Sequence, residues 1–236
     1  MIFGGVAAAL FLAFALPAPS TAQTTATSST DQPAAPAAPP APTPVQSSPP
    51  VVLASHGPWT PDPTLVGQLA KATIFDDYAI NAPIGFKSLD RDSPDGFGHV
   101  YGWTLPPLRP NGSLPTLEVV LATAPKGQEN QFTADQILGN FVGIIRATQI
   151  NWISTQPERG NVNGVPFERE YWTGVDDIKG FTSRGFVYIS EPSIGKFIII
   201  DGRDAEPYAD SDIPTIESAA LTLRPKSAPA PVGAPH

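Results

Sequence analysis

The sequence predicts an α+β fold, an antiparallel β-sheet of about six to seven strands with helices packed on both faces. Three observations carry that expectation. Short strand candidates follow one another across tight turns, which pairs them antiparallel. The run Phe197-Ile198-Ile199-Ile200 is apolar on both faces of its pleat, so each side of the sheet must be covered. Between the strands stands an amphipathic helix with a complete start signal.

The strand candidates are Tyr78–Ala82, Phe97–Thr104, Leu117–Leu121, Asn151–Thr155, Val165–Gly174, Phe181–Ser190 and Lys196–Asp201. Pro83 and Gly85, Asn111-Gly112 and Pro125-Lys126-Gly127 punctuate them as turns. For the helix, Thr133 with Gln136 three residues on makes a capping box, and Phe132 and Ile137 occupy the positions of a hydrophobic staple. Ile137, Leu138, Phe141, Ile144, Ile145 and Thr148 then recur at helical spacing. No Lys or Arg is evident to pair a charge placed at Ile145. A second helix is expected to start near Asp212, with Pro214 in its first turn and a stripe of Ile213, Ile216, Ala220 and Leu223. Thr64–Ala72 is a third candidate.

The layout around this domain is read from composition. Residues 1–22 resemble an export signal: the apolar run Ile2–Leu16 is too short to span a bilayer comfortably, and Ser20-Thr21-Ala22 offers small residues for cleavage. Only the terminal amine supplies positive charge there, so either the signal is atypical or the start lies upstream. An uncleaved anchor is the alternative. Residues 23–58 are a Pro/Ala/Ser/Thr-rich stalk, too poor in apolar surface to fold, and 225–236 repeat that composition as a tail. One domain, 59–224, remains. There is no cysteine, which excludes a lipidated cysteine, disulfides and thiolate metal sites. The formal charge of −8 disfavours nucleic acid and anionic lipid as partners. After signal cleavage no stable membrane insertion is expected.

Tyr78-Ala79-Ile80-Asn81-Ala82-Pro83-Ile84-Gly85-Phe86 resembles the opening of PsbP-like domains, the superfamily of the photosystem II extrinsic subunit and a Ran-release factor. Asn163-Gly164 looks like that family's mid-domain turn. Gly195-Lys196-Phe197-Ile198-Ile199 and Ile216-Glu217-Ser218 look like its last strand and closing helix. The resemblance spans about residues 73–224. It implies an antiparallel α+β domain and a non-catalytic partner or assembly role, because most members it brings in act that way. The acidic, stalked layout gives a photosystem role no support.

Chemistry-bearing motifs are sparse. His99 is the one histidine inside the domain, and no nucleophile elbow accompanies it. Asp90-Arg91-Asp92-Ser93-Pro94-Asp95-Gly96 departs from a calcium loop: its third acid is one residue late, and Tyr101 stands where the closing Glu belongs. Glu168 and Glu170 share one strand face, as exposed strands commonly have it. No catalytic, metal or cofactor residue is therefore assigned. The reading is an exported binding or assembly module for a protein or cell-envelope component. The alternative is an envelope hydrolase using His99 or the Glu168/Glu170 pair.

The candidate recognition surface is a hairpin around Asp176-Asp177-Ile178-Lys179. If Val175 pairs with Gly180, then Tyr171 faces Arg184, Arg169 faces Phe186 and Phe167 faces Tyr188. Tyr171, Arg184, Arg169 and Tyr188 would form an alternating aromatic–Arg ladder. Either its outer end, Tyr171 with Arg184, is exposed to a partner, or the ladder lies beneath a helix.

Overall fold

The computed structural model describes residues 57–93 and 98–229. The expected signal, stalk residues 23–56 and the last residues of the tail lie outside the described residues. Along the described chain the elements are β1 (Thr73–Phe75), β2 (Tyr78–Ile80), β3 (Lys87–Asp92), β4 (Gly98–Thr104), β5 (Thr116–Thr123), α1 (Ala134–Arg146), β6 (Gln149–Ser154), β7 (Glu158–Val162), β8 (Val165–Asp176), β9 (Thr182–Ser193), β10 (Lys196–Ala205), α2 (Ala209–Ala220) and β11 (Arg224–Pro225). Eight strands form one antiparallel sheet in the order β3-β4-β5-β10-β9-β8-β6, with β7 also on β8. β8 is long enough to hold β6 along 172–176 and β7 along 165–169. A separate three-stranded sheet has the order β1-β2-β11.

Side-chain alternation in the middle strands builds two cores. On one side Phe197 and Ile199 of β10, Val187 and Ile189 of β9, Trp172 of β8 and Val120 of β5 pack with α1. On the other, Ile198 and Ile200, Phe186 and Tyr188, Phe167 and Tyr171, and Leu117 and Val119 pack with α2 and with Phe75 and Ile80 of the small sheet. The apolar run of β10 is buried on both faces, as its sequence requires. The expectation of helical layers on both faces is corrected. Among the described residues there are two α-helices, one in each core cluster. The small sheet and Trp59 complete the α2 side, and the expected helix over Thr64–Ala72 is a single 3-10 turn, Val66–Gln68.

Helix α1 forms as its start signal demands. The Thr133 hydroxyl accepts from the Gln136 N–H at 3.3 Å, and the Gln136 side chain accepts from the Thr133 N–H at 3.0 Å. Ile145 is buried, yet Arg91 and Arg203 line a recess beside it, so cations do stand near that position. Helix α2 begins at Ala209, three residues earlier than expected, which puts Pro214 inside it. Asp210 and Asp212 in its first turn suit the positive helix end, and Arg184 and Arg109 grip them from outside. Those ion pairs support a turn that proline alone would have trimmed.

Strands β1, β3, β7 and β11 carry little apolar alternation and were not expected. β3, Lys-Ser-Leu-Asp-Arg-Asp, has no buried residue. Paired structure also continues past 224: β11 lies on β2, and Lys226 donates its N–H to the Asp77 carbonyl and pairs with the Asp77 carboxylate at 2.6 Å. The motif residues of the PsbP-like resemblance hold this framework. Asn81 accepts from Arg224 and donates twice, through its side chain to the Ala70 carbonyl and through its backbone N–H to the Thr222 hydroxyl, while Asn163, in the β7–β8 turn, donates to the Leu221 and Leu223 carbonyls.

One carboxyl in the sheet makes stability depend on pH. Asp201 of β10 faces α1 at 1% exposure, and burial pushes it up to about 6 from an ordinary 3.8. The folded state thus binds this proton more readily than the unfolded chain. The favourable contribution is fully present below about pH 4 and is lost as pH rises through about 6. At 1.36 kcal/mol per pH unit this is about 3 kcal/mol. Burial raises Asp204 to about 6 as well, so Asp201→Asn should reduce, without abolishing, the fall in stability between pH 4.5 and 7.5 in denaturant titrations. An unchanged slope would place the titration elsewhere.

Candidate functional site

The β8–β9 hairpin sets the site, and its register differs from expectation by two residues. Arg169 lies opposite Tyr188, Tyr171 opposite Phe186, and Thr173 opposite Arg184. The cause is the turn. Gly180 adopts φ +73° and belongs to the loop, where its N–H donates to the Asp176 carbonyl at 2.9 Å. The Asp176 carboxylate accepts from the N–H groups of Ile178 and Lys179, and Asp176 pairs with Phe181. A two-residue shift preserves faces, so the same side chains still share one side of the sheet. Tyr171 and Arg184 are not cross-strand partners, and Tyr171 is only 4% exposed. The ladder lies in the α2-side core.

Its centre is Arg169, a guanidinium at 2% exposure. Nε and Nη2 donate to Glu158 of β7 at 3.1 and 3.0 Å, and Nη2 donates to the Gly57 carbonyl at 2.8 Å. The Trp59 ring stacks on the guanidinium with its centroid at 4.2 Å. Nη1 approaches the Tyr188 hydroxyl at 3.4 Å and Glu217 of α2 at 3.9 Å. Glu217 accepts from both tyrosines, from Tyr188 at 2.6 Å and also from Tyr171. Burial, then the charge of Glu217, pushes both phenols well above their ordinary value. Both hydroxyls therefore remain donors throughout the neutral range.

Above this network lies a groove of about 650 Å³ between residues 57–65, α2 and the hairpin. Tyr171 and Glu217 line it from below, with Arg184 and Asp210 at one side and Pro58 and Asp62 at the other. Arg184, its side chain 34% exposed, pairs with Asp210 and lies 3.2 Å from Glu206. Asp62 accepts from the Thr64 hydroxyl and N–H, and these bonds hold its carboxyl below the usual carboxylate value. The Asp62 N–H donates to Ser218 of α2, which fixes the incoming segment against the helix. Of the four residues expected from sequence, Tyr171 and Arg184 reach the groove. Arg169 and Tyr188 lie behind it as positioning residues.

The other candidates lie elsewhere. His99 of β4 sits at the β3 edge, with Nδ1 2.8 Å from Asp92 and Nε2 bonded to Asp90. Asp90 first, then Asp92, holds the imidazole above its ordinary value. Both ring nitrogens are engaged, which leaves neither free as a base in this arrangement. Residues 94–96 of the calcium-like stretch lie outside the described residues. Burial raises both glutamates; Glu168 pairs with Arg159 near Asp135, whereas Glu170 is in no ion pair among the described residues. Sequence reasoning missed Glu217, Glu158 and Trp59. Glu217 had a signal: it stands four residues after Ile213, on the apolar stripe of its own helix, where a carboxylate needs partners.

No family model matches the chain, and no curated protein does. Among solved structures, the chain is similar to a cyanobacterial PsbP and to LpqN. The solution structure of a cyanobacterial PsbP (CyanoP) from Synechocystis sp. PCC 6803 is 16% identical, with 66% of this chain and 93% of that one covered at a TM-score of 0.46. The crystal structure of LpqN, involved in cell envelope biogenesis of Mycobacterium tuberculosis, is 11% identical, with 62% and 81% covered at 0.44. The first of these bears the family name that the sequence motifs resemble. At such identity and TM-score the likeness carries no conclusion about activity, ligand or partner.

The network itself is open to test. Glu217→Ala strands two buried phenols and removes a counter-charge of Arg169, and should cost about 3 kcal/mol in denaturant titration. Tyr171→Phe should cost about 1 kcal/mol. Equal, negligible losses for both would separate the network from stability.

Proposed function

We propose that this protein is an exported, non-catalytic binding module of the cell envelope, presented on the Pro/Ala/Ser/Thr-rich segment 23–58. The observation that carries the reading is the groove above Glu217. Its charged lining is Asp62, Asp210 and Glu217 against the single cation Arg184, and its floor is fixed by packing and hydrogen bonds. A surplus of carboxylates over a pre-organised tyrosine favours a cationic segment of a protein partner. Tyr171 is the proposed contact, with Arg184 at the rim in its pair with Asp210, and Arg169 and Tyr188 hold the tyrosine in place. The export reading rests on the apolar run Ile2–Leu16 and the small residues that follow it. No helix among the described residues is long and apolar enough to cross a membrane.

Affinity capture from envelope extract, comparing the wild-type chain with Asp210→Lys, tests this. Asp210 is exposed, so the variant should stay folded, at a modest cost in stability for the lost Arg184 pair and the reversed charge in the first turn of α2. It should retain the specific partner about tenfold less well at low salt, the scale of a lost charge-assisted contact. Capture of the same proteins in the same yield by both forms would overturn the groove as the binding surface.

A further inference from the structure

The opposite side of the sheet holds a second cavity, of about 380 Å³, under the C-terminal end of α1. Its floor is one row of residues across the sheet. Thr104 of β4, Thr116 of β5, Arg203 of β10, Gly185 of β9 and Trp172 of β8 are successive cross-strand partners. Gly185 makes that row possible. A Cβ there would lie 2.3 Å from the Gly202 carbonyl oxygen and 3.0 Å from both Arg203 Cβ and Trp172 Cζ2, so its absence permits the close approach of these groups. Trp152 stacks on the outer side of Trp172 at 5.2 Å and 12°, which fixes the ring. Leu89, Leu108, Ile144, Ile145 and Phe181 supply its apolar wall, and Arg91, Glu118, Asp176, Lys179 and Asp204 are its other charged lining residues. Lys179 at the hairpin tip donates to the Gly112 carbonyl and ties the two loops that flank the opening.

The polar groups of this cavity are unequally satisfied. Trp172 is 1% exposed and its Nε1–H has no partner among the described residues. The Arg203 guanidinium has one ionic neighbour, Asp201, with Nε 3.6 Å from Oδ2, beyond hydrogen-bond range. Its terminal nitrogens make no hydrogen bond among the described residues. The neighbouring carboxylates are engaged: Glu118 by Arg91 at 3.1 Å, and Asp204 by Arg109 at 2.7 Å and the Ala205 N–H. Asp201 Oδ1 is also unpartnered, but it lines an adjoining recess of about 20 Å³, which is room for one water. The larger cavity is thus lined by two residues with unused donors, the buried Trp172 indole N–H and the partly exposed Arg203 guanidinium, its side chain 27% exposed.

We propose that this cavity binds a small molecule carrying a carboxylate on an apolar body of aromatic size. The carboxylate would accept from Arg203 through the guanidinium fork and from Trp172 Nε1–H, while the body lies against Ile144, Ile145 and Phe181. A neutral polar group would satisfy the indole but leave the terminal nitrogens of the guanidinium without a hydrogen-bonded anion. The cavity shares Trp172 with the lining of the α2-side groove but draws on none of that groove's charged side chains, so Arg203 variants test it separately.

The probes are naphthylacetate and its uncharged counterpart naphthylethanol, titrated into the full chain. Binding is read by calorimetry and by the indole N–H signals of the four tryptophans in two-dimensional NMR. Trp172→Phe, which keeps the stacking on Trp152, assigns the Trp172 signal. Naphthylacetate should shift that signal and bind about tenfold more tightly than naphthylethanol, and Arg203→Gln should remove about that tenfold advantage. Arg203→Lys keeps the charge and loses the fork, so it should fall between the two. Equal affinity for both probes would overturn the proposal. So would an unmoved Trp172 signal while the probe binds, wild-type affinity in Arg203→Gln, or no binding at millimolar probe.

Discussion

Arg169 is the constraint from which the candidate site follows. A guanidinium at 2% exposure is tolerable only if carboxylates, carbonyls and ring faces replace the water it has lost. The replacements come from four directions: Glu158 from β7, Glu217 from α2, Tyr188 from β9, and Gly57 and Trp59 from the segment that enters the domain. Each donor of a partner is thereby fixed against the sheet. The groove above exists because α2 and residues 57–65 are held apart over the same buried charge. It is not a gap left by loose packing.

The middle strands make this possible. β8, β9 and β10 are buried on both faces, so their odd and even residues serve different cores. One face is closed by α1 in an ordinary apolar way, apart from the row that contains Trp172 and Arg203. The other carries the polar network inside an apolar frame of Phe167, Phe186, Ile198 and Ile200. Low local dielectric strengthens every hydrogen bond in that network, and equally raises the cost of losing one.

Much of the fold was legible because it rests on strong local signals. The capping box at Thr133 and the doubly apolar run of β10 need no tertiary information to be read. β3 and β7 were illegible for the converse reason. Their residues are charged or small, they lie at sheet margins, and their pairing is decided by neighbours. The start of α2 depends on Arg109 and Arg184, which are distant in sequence. At the site, the face of the ladder was correct and its register was not. Two residues of offset hinged on Gly180 taking a left-handed conformation in the turn. Burial of Tyr171 depended on α2 arriving above it, with Glu217 turned inward.

Hydrogen exchange in Arg169→Met tests the central claim most directly. Methionine fills similar space without the charge or the donors. The account predicts that amides of residues 57–69 and the Glu217 turn of α2 lose protection together, while α1 on the far face keeps its own. Unchanged protection of 57–69, with the domain still folded, would contradict the claim that this arginine holds the groove together.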